Sequence, residues 1–178
     1  RSKASFLQFD VVNFTQWCAS RSPVELVKTL SRLVTRFDAE ALEVGAEKLK
    51  TIGDAYQATT GLLGRNWRDG DDSAVGLFFL ANRMHLTMEN DEDFPEWTGR
   101  IAITTGPLIG AIVGSTPYRY DVFGATADLA TALEPLALAG HSVACPASAA
   151  QIAKAYPHLN DVRGEVFANE VALSDNSS

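Results

Sequence analysis

One segment constrains the fold more than any other. Between Ser22 and Gly45, apolar residues recur at Val27, Leu30, Val34, Phe37, Ala41 and Val44, in alternating steps of three and four. That period lays one apolar stripe along a helix, and the stripe needs a surface to cover it. The segment also carries its own start and stop. Ser22 can cap, Pro23 suits a first turn, Glu25 completes a capping box three residues after Ser22, and Gly45 ends the run. About three heptads are too few to favour a coiled-coil seam, so the stripe is assigned to packing against a sheet.

Candidate strands flank that helix. Residues 4–10, Ala-Ser-Phe-Leu-Gln-Phe-Asp, form a short buried strand ending on a carboxylate, followed by a tight stretch over 11–15. After the helix, residues 48–52 and 55–60 are strand-like and are joined by Gly53-Asp54, a favourable hairpin pair. A polar connection over 65–70 leads to a second helix with Ala74, Leu77, Phe78, Ala81, Met84, His85 and Met88 on one face. In that setting His85 is a packed or half-exposed residue rather than a ligand.

Residues 100–105 and 108–113 are expected as two strands around Gly106-Pro107, and residues 118–123 as another that enters a helix after Gly124. Residues 141–145 and 151–156 complete the pattern as a last strand and helix, and the tail after Glu170 is weakly patterned. The order is that of an α+β domain.

At 178 residues and 46% hydrophobic content, one domain can bury a sizeable core without disulfides or a structural metal. The formal charge of -7 excludes nucleic acid as a partner, since no basic stripe is available for a phosphate backbone. Cys18 and Cys145 stand far apart and in no metal-ligand spacing, which fits reduced thiols in a cytoplasmic setting. No apolar run approaches the roughly 20 residues needed to cross a bilayer. The chain begins abruptly on a strand-like segment, as an excised domain would, so a membrane enters only through a parent chain. The acidic stretches at 69–72 and 89–96 lack the alternating oxygen ligands and closing Glu of a calcium loop.

Two carboxylates carry the first hint of chemistry: Asp10 at a strand end and Asp54 at the hairpin turn. Taken singly, each is ordinary turn chemistry. Presented together from neighbouring strand ends, they could share two divalent ions and clamp a phosphoryl displacement.

Three segments occur in order: 9–15, Phe-Asp-Val-Val-Asn-Phe-Thr; 49–56, Leu-Lys-Thr-Ile-Gly-Asp-Ala-Tyr; and 120–126, Tyr-Asp-Val-Phe-Gly-Ala-Thr. Together they resemble the signature segments of class III adenylyl and guanylyl cyclases. The resemblance runs from Phe6 to the Arg163-Gly164-Glu165 stretch. It implies a ferredoxin-like antiparallel sheet with helices packed on one face, and an active site at the interface of two such domains.

Carried over by position, the resemblance puts the two metal-binding aspartates at Asp10 and Asp54, with the backbone of Val11 as a further metal contact. The ions would be two divalent cations, Mg2+ or Mn2+. It puts backbone amides that approach the triphosphate at Phe14 and Thr15, and a purine-reading pair at Lys50 and Asp121. A lysine donates to a ring nitrogen and a carboxylate accepts from an exocyclic amine, so this pair matches the adenine-selecting pattern and ATP is the expected nucleotide.

The resemblance also fails at specific places. Asp128 stands where the family supplies an Asn that orients the ribose, and Ala132 where it supplies an Arg that stabilises the phosphates. Pro107 replaces a cation, and the late-strand lysine has no counterpart around Asn169. An anion near a triphosphate repels it, and alanine removes a bidentate donor.

The pattern is most like the first catalytic half of the mammalian membrane cyclases, which holds the metal aspartates and takes the Asn and Arg from its partner. The resemblance therefore implies a signalling domain that converts ATP to 3′,5′-cyclic AMP and pyrophosphate as a homo- or heterodimer. The alternative is an impaired pseudo-cyclase that binds nucleotide or a partner cyclase and regulates it. A diguanylate-type cyclase is disfavoured, because its Gly-Gly-Asp/Glu-Glu-Phe turn is absent.

Overall fold

The structure, a computed structural model, describes residues 2–63, 72–92, 94, 97–116 and 118–157. The polar connection at 65–70, most of the acidic stretch at 69–72, Asn169 and the Arg163-Gly164-Glu165 stretch lie outside the described residues.

The chain folds as β1 (Ser2–Val11), α1 (Phe14–Ala19), α2 (Pro23–Val44), β2 (Glu47–Ile52), β3 (Ala55–Thr60), α3 (Ser73–Asn90), β4 (Gly99–Val113), β5 (Arg119–Phe123), α4 (Ala125–Leu133), β6 (His141–Ala144) and α5 (Pro146–Ala155). Five strands pair in the order β2-β3-β1-β4-β5, all antiparallel, and β6 adds to β4 in parallel. The α+β sheet expected from sequence is thus present, with one parallel edge.

The caps of α2 form as its sequence dictates. The Ser22 hydroxyl accepts from the Glu25 amide at 3.2 Å, Pro23 occupies the first turn, and Gly45 closes the helix in the left-handed region. The stripe is displaced from its expected position, however: Leu33, Phe37 and Ala41 are buried, Leu30, Val34 and Val44 flank them, and Val27 is 62% exposed.

Alternation along β1 divides the interior in two. Leu7, Phe9 and Val11 join Phe37, Tyr56, Leu77, Leu80 and Ile101 under α2 and α3, while Ala4 and Phe6 join Ala102, Leu108, Ala130 and Leu133 under α4 on the opposite face. The larger helical layer therefore covers one face, and α4 closes a smaller core on the other.

Two local expectations are corrected. Residues 99–113 form one strand instead of two around Gly106-Pro107. Pro107 interrupts nothing, because β6 pairs with residues 100–103 and β5 with 109–113, leaving 107 between the two ladders on that edge. Gly106 is required by packing: a Cβ there would stand 2.6 Å from Thr126 Oγ1, and Thr126 donates to the Pro107 carbonyl at 3.0 Å. The stretch after β1 is a short helix, α1, with no side-chain cap at Asn13. It is held instead by Phe14 and Trp17, whose rings meet Trp97 edge-on at 5.7 and 4.8 Å. The last helix also starts earlier than expected, at Pro146.

Candidate active site

The ends of β1 and of the β2–β3 hairpin meet. Gly53, at φ 61, supplies the left-handed turn that places Asp54 at the hairpin tip. There the Asp54 Oδ2 accepts from the Val11 amide at 3.3 Å, beside Asp10. Burial, and then the charge of Asp10, push the Asp54 carboxyl up to about 6, against the Asp54 and Val11 amides, which favour its ionised form. Two carboxylates forced together in this way form a hard oxygen pair that a divalent cation would relieve.

No cluster of three or more His, Cys, Asp or Glu in metal-binding arrangement occurs among the described residues. The pair fits a divalent cation of the kind that takes few protein ligands and completes its shell with water and phosphate. Asp10 and Asp54, with the Val11 backbone, are the groups that would hold it.

Two further charged residues join this end of the sheet, and neither was singled out from sequence. Arg100 is the cross-strand partner of Asp10, and its Nη2 lies 3.4 Å from Asp10 Oδ2. Its Nε lies 2.7 Å from Oε1 of Glu134, at the start of the 3-10 turn that follows α4. Neither of those two atoms makes an aligned hydrogen bond, so the contact is ionic. Glu134 is only 7% exposed, and burial raises its carboxyl while Arg100 opposes the rise. No local pattern could reveal this chain of charges, because strand register brings residues 10 and 100 together and the packing of the turn after α4 adds residue 134.

Lys50 and Asp121 also converge. Lys50 Nζ donates to Asp121 Oδ1 at 2.7 Å, joining β2 to β5 across strands that are not neighbours in the sheet. That bond and a second from the Val122 amide hold the Asp121 carboxyl below its ordinary range. Phe14 is half-buried and Thr15 exposed at the start of α1. Asp128 in the first turn of α4, Ala132 near its end, and Pro107 on β4 are all exposed. The two residue pairs expected from sequence are thus each brought together, and Pro107, Asp128 and Ala132 lie on open surface.

Comparison with known proteins decides the family. The family model for the adenylate and guanylate cyclase catalytic domain matches residues 2–169. The chain belongs to that family. Relatives of this cyclase domain include guanylate cyclase beta of Plasmodium falciparum, 30% identical over 79% of the chain and 5% of the relative. They also include an adenylate cyclase of Mycobacterium tuberculosis, 32% identical over 74% of the chain and 29% of the relative.

The cyclase domain therefore spans less than a third of these curated relatives. Among solved structures, the guanylate cyclase domain of RhGC from Catenaria anguillulae in complex with GTP superposes with a TM-score of 0.78 at 25% identity, over 85% of this chain and 82% of that one. Family membership covers both purine nucleotides and a general dependence on divalent metal. No described helix is long and apolar enough to cross a membrane.

Proposed function

We propose that this domain is the metal-binding half of an adenylyl cyclase, converting ATP to 3′,5′-cyclic AMP and pyrophosphate at an interface with a complementary cyclase domain. One observation carries the reading: the Asp10–Asp54 pair and the Lys50–Asp121 pair are each assembled from segments distant in sequence.

When bound, two divalent cations would acidify the ribose 3′-hydroxyl and neutralise the phosphates. Asp10 and Asp54 supply the oxygens for them. Lys50 donates to a ring nitrogen of adenine. Asp121 has one oxygen engaged by Lys50 and Val122, which leaves the other to accept from the exocyclic amine.

The amides of Phe14 and Thr15 face the triphosphate. Asp128, Ala132 and Pro107, with no lysine near Asn169, leave the transition state short of donors that a partner would supply. One such donor is worth about two to four kcal/mol.

The same four positions favour a second reading, a pseudo-cyclase that binds nucleotide or a partner without turnover. Incubating the chain with ATP and Mn2+, alone and mixed with partner domains, separates the two. Cyclic AMP that disappears on Asp10→Ala supports the enzyme, and GTP and a pyrimidine nucleotide run in parallel report base choice. Mn-ATP binding with no product in any mixture would leave only the regulatory role. In a homodimer, Asp128→Asn with Ala132→Arg should raise turnover about a hundredfold if missing donors are the obstacle.

A further inference from the structure

We infer that Asp38 and Lys48, outside the metal and base positions, determine which face of the sheet Lys50 occupies. In a regular strand, residues two apart share a face, so Lys48 and Lys50 should point the same way. In this domain they do not. Lys48 reaches α2, where its Nζ lies 2.7 Å from Asp38 Oδ2, whereas Lys50 reaches Asp121 on β5.

The register explains the difference. Lys48 stands opposite Ala58, and Lys50 stands opposite Gln57, so β2 spends two residues where β3 spends one. Cross-strand partners share a face. Ala58 belongs to the core under α2, while Gln57 donates to Gln8 on the opposite face, the one that carries Phe6 and Asp10. The extra residue at Leu49 thus turns β2 over between the two lysines, and Leu49 itself packs on the α4 side. Without that shift Lys50 would face α2, as a one-residue slip moves every side chain to the other face.

Something must hold the shift, because β2 is an edge strand that pairs with β3 alone, and an edge strand can slip. Asp38 holds it from α2. One of its oxygens takes Lys48 and the other accepts from the Tyr56 hydroxyl at 2.9 Å. Tyr56 is 1% exposed, meets Phe37 edge-on at 5.6 Å, and lies opposite Phe9. The Lys48 ammonium also sits 5.4 Å from the Tyr56 ring centroid. Lys48 is therefore fixed at once to α2 and to the largest buried side chain of β3, two residues before the proposed base-reading position. Asp38 and Lys48 are positioning residues, and α2 is a lever on Lys50.

The test follows the Asp121 carboxyl by carbon-13 NMR in the whole chain, since its depressed titration reports whether Lys50 faces it. In Lys48→Met, which keeps the apolar stem, that titration should rise by about one pH unit, a tenfold change in proton affinity. Lys48→Arg should restore it. Asp38→Asn keeps an acceptor for Tyr56 and should behave like Lys48→Met, which provides a second variant if the first does not fold.

An Asp121 titration unchanged in folded Lys48→Met and Asp38→Asn overturns the inference, whatever happens to their melting temperatures. The consequence for specificity rests on the reading of Lys50 as a base contact: the ratio of ATP to GTP affinity, measured with fluorescent analogues and Mn2+, should fall about tenfold along with the titration. A shifted titration with an unchanged ratio would uphold the positioning and sink the base-reading role instead.

Discussion

The two faces of the sheet share the same strands and are built on opposite principles. Under α2 and α3, Phe9, Phe37 and Tyr56 meet edge to face, and the Ser5 hydroxyl that enters is paired between Ser73 and Thr105 at 2.8 and 2.7 Å. Under α4 the apolar cluster is smaller, and Asp10, Arg100 and Glu134 border it. Phe9 and Asp10 are adjacent, yet one is core and the other is site. A two-residue period lets one strand stabilise the fold with one set of side chains and carry charge with the other.

The largest expected effect tests the packed face. Phe37→Ala removes a ring with no exposure that touches both Phe9 and Tyr56, and should cost about 3–5 kcal/mol in urea unfolding. Next comes the charged face. Arg100→Met leaves Glu134 buried without its cation and should cost roughly 2 kcal/mol, less than a fully buried pair because Arg100 keeps 27% side-chain exposure. The distinguishing step is repair. Adding Glu134→Gln to Arg100→Met should recover most of that loss, whereas no polar change restores a cavity at Phe37. A double variant as unstable as the single one would mean that Arg100 acts by packing and that the faces differ less than proposed.

The sequence made visible what is locally encoded. The caps of α2 and the Gly53-Asp54 turn involve residues within a few positions of one another, and both formed as expected. Gly106-Pro107 misled because a proline signals a break only where its amide is needed, and that depends on which strands flank it. The small α1 was not legible because Asn13 at its start makes no side-chain cap and its aromatic anchor, Trp97, lies 80 residues after Trp17 in the chain (97 − 17). For the candidate site, Asp10 and Asp54 were singled out first by their places at a strand end and a hairpin turn, and Lys50 and Asp121 by resemblance, and the fold brings each pair together. Arg100 and Glu134 were missed because strand pairing and the packing of the turn after α4 bring them to Asp10, and Asp38 and Lys48 because a bulge in β2 and the packing of α2 set their places.

A smaller effect separates the Asp10–Asp54 carboxylate pair from the rest of the charged face. Asp54 has a folded value of about 6 against an ordinary 3.8, so the native state binds its proton first. Stability contributed by this group is therefore greatest at low pH and is lost as pH rises from about 4 to 6. Because Asp54 is only partly buried, the full shift overstates the cost, and about 1 kcal/mol remains after allowing for solvent screening. Metal-free Asp54→Asn should accordingly be more stable than the unaltered chain at pH 7 by that amount, with the difference vanishing near pH 4. Mn2+ binding should reverse the order and strengthen as pH rises through 6, since the ion needs the carboxylate ionised. A pH-independent difference would mean that neither burial nor the charge of Asp10 holds the Asp54 carboxyl above its ordinary range.

The smallest effect concerns the one stripe residue that the packed face does not use. At 22 residues, α2 is about 33 Å long, whereas β2 and β3, at 6 residues each, run only about 20 Å. Its first turns therefore overhang the hairpin, leaving Val24 and Val27 at 64% and 62% exposure. Val27→Lys should change unfolding free energy by no more than about 0.5 kcal/mol, while Leu33→Ala, absent from the expected stripe, should cost about 2–5 kcal/mol. The contrast isolates what periodicity leaves out: it fixes the angle at which a helix presents its apolar face, and the length of the surface beneath decides how many turns of that face are buried. If Val27→Lys proved as damaging as Leu33→Ala, the overhanging turns would be covered in solution, and the packed face would extend beyond this chain.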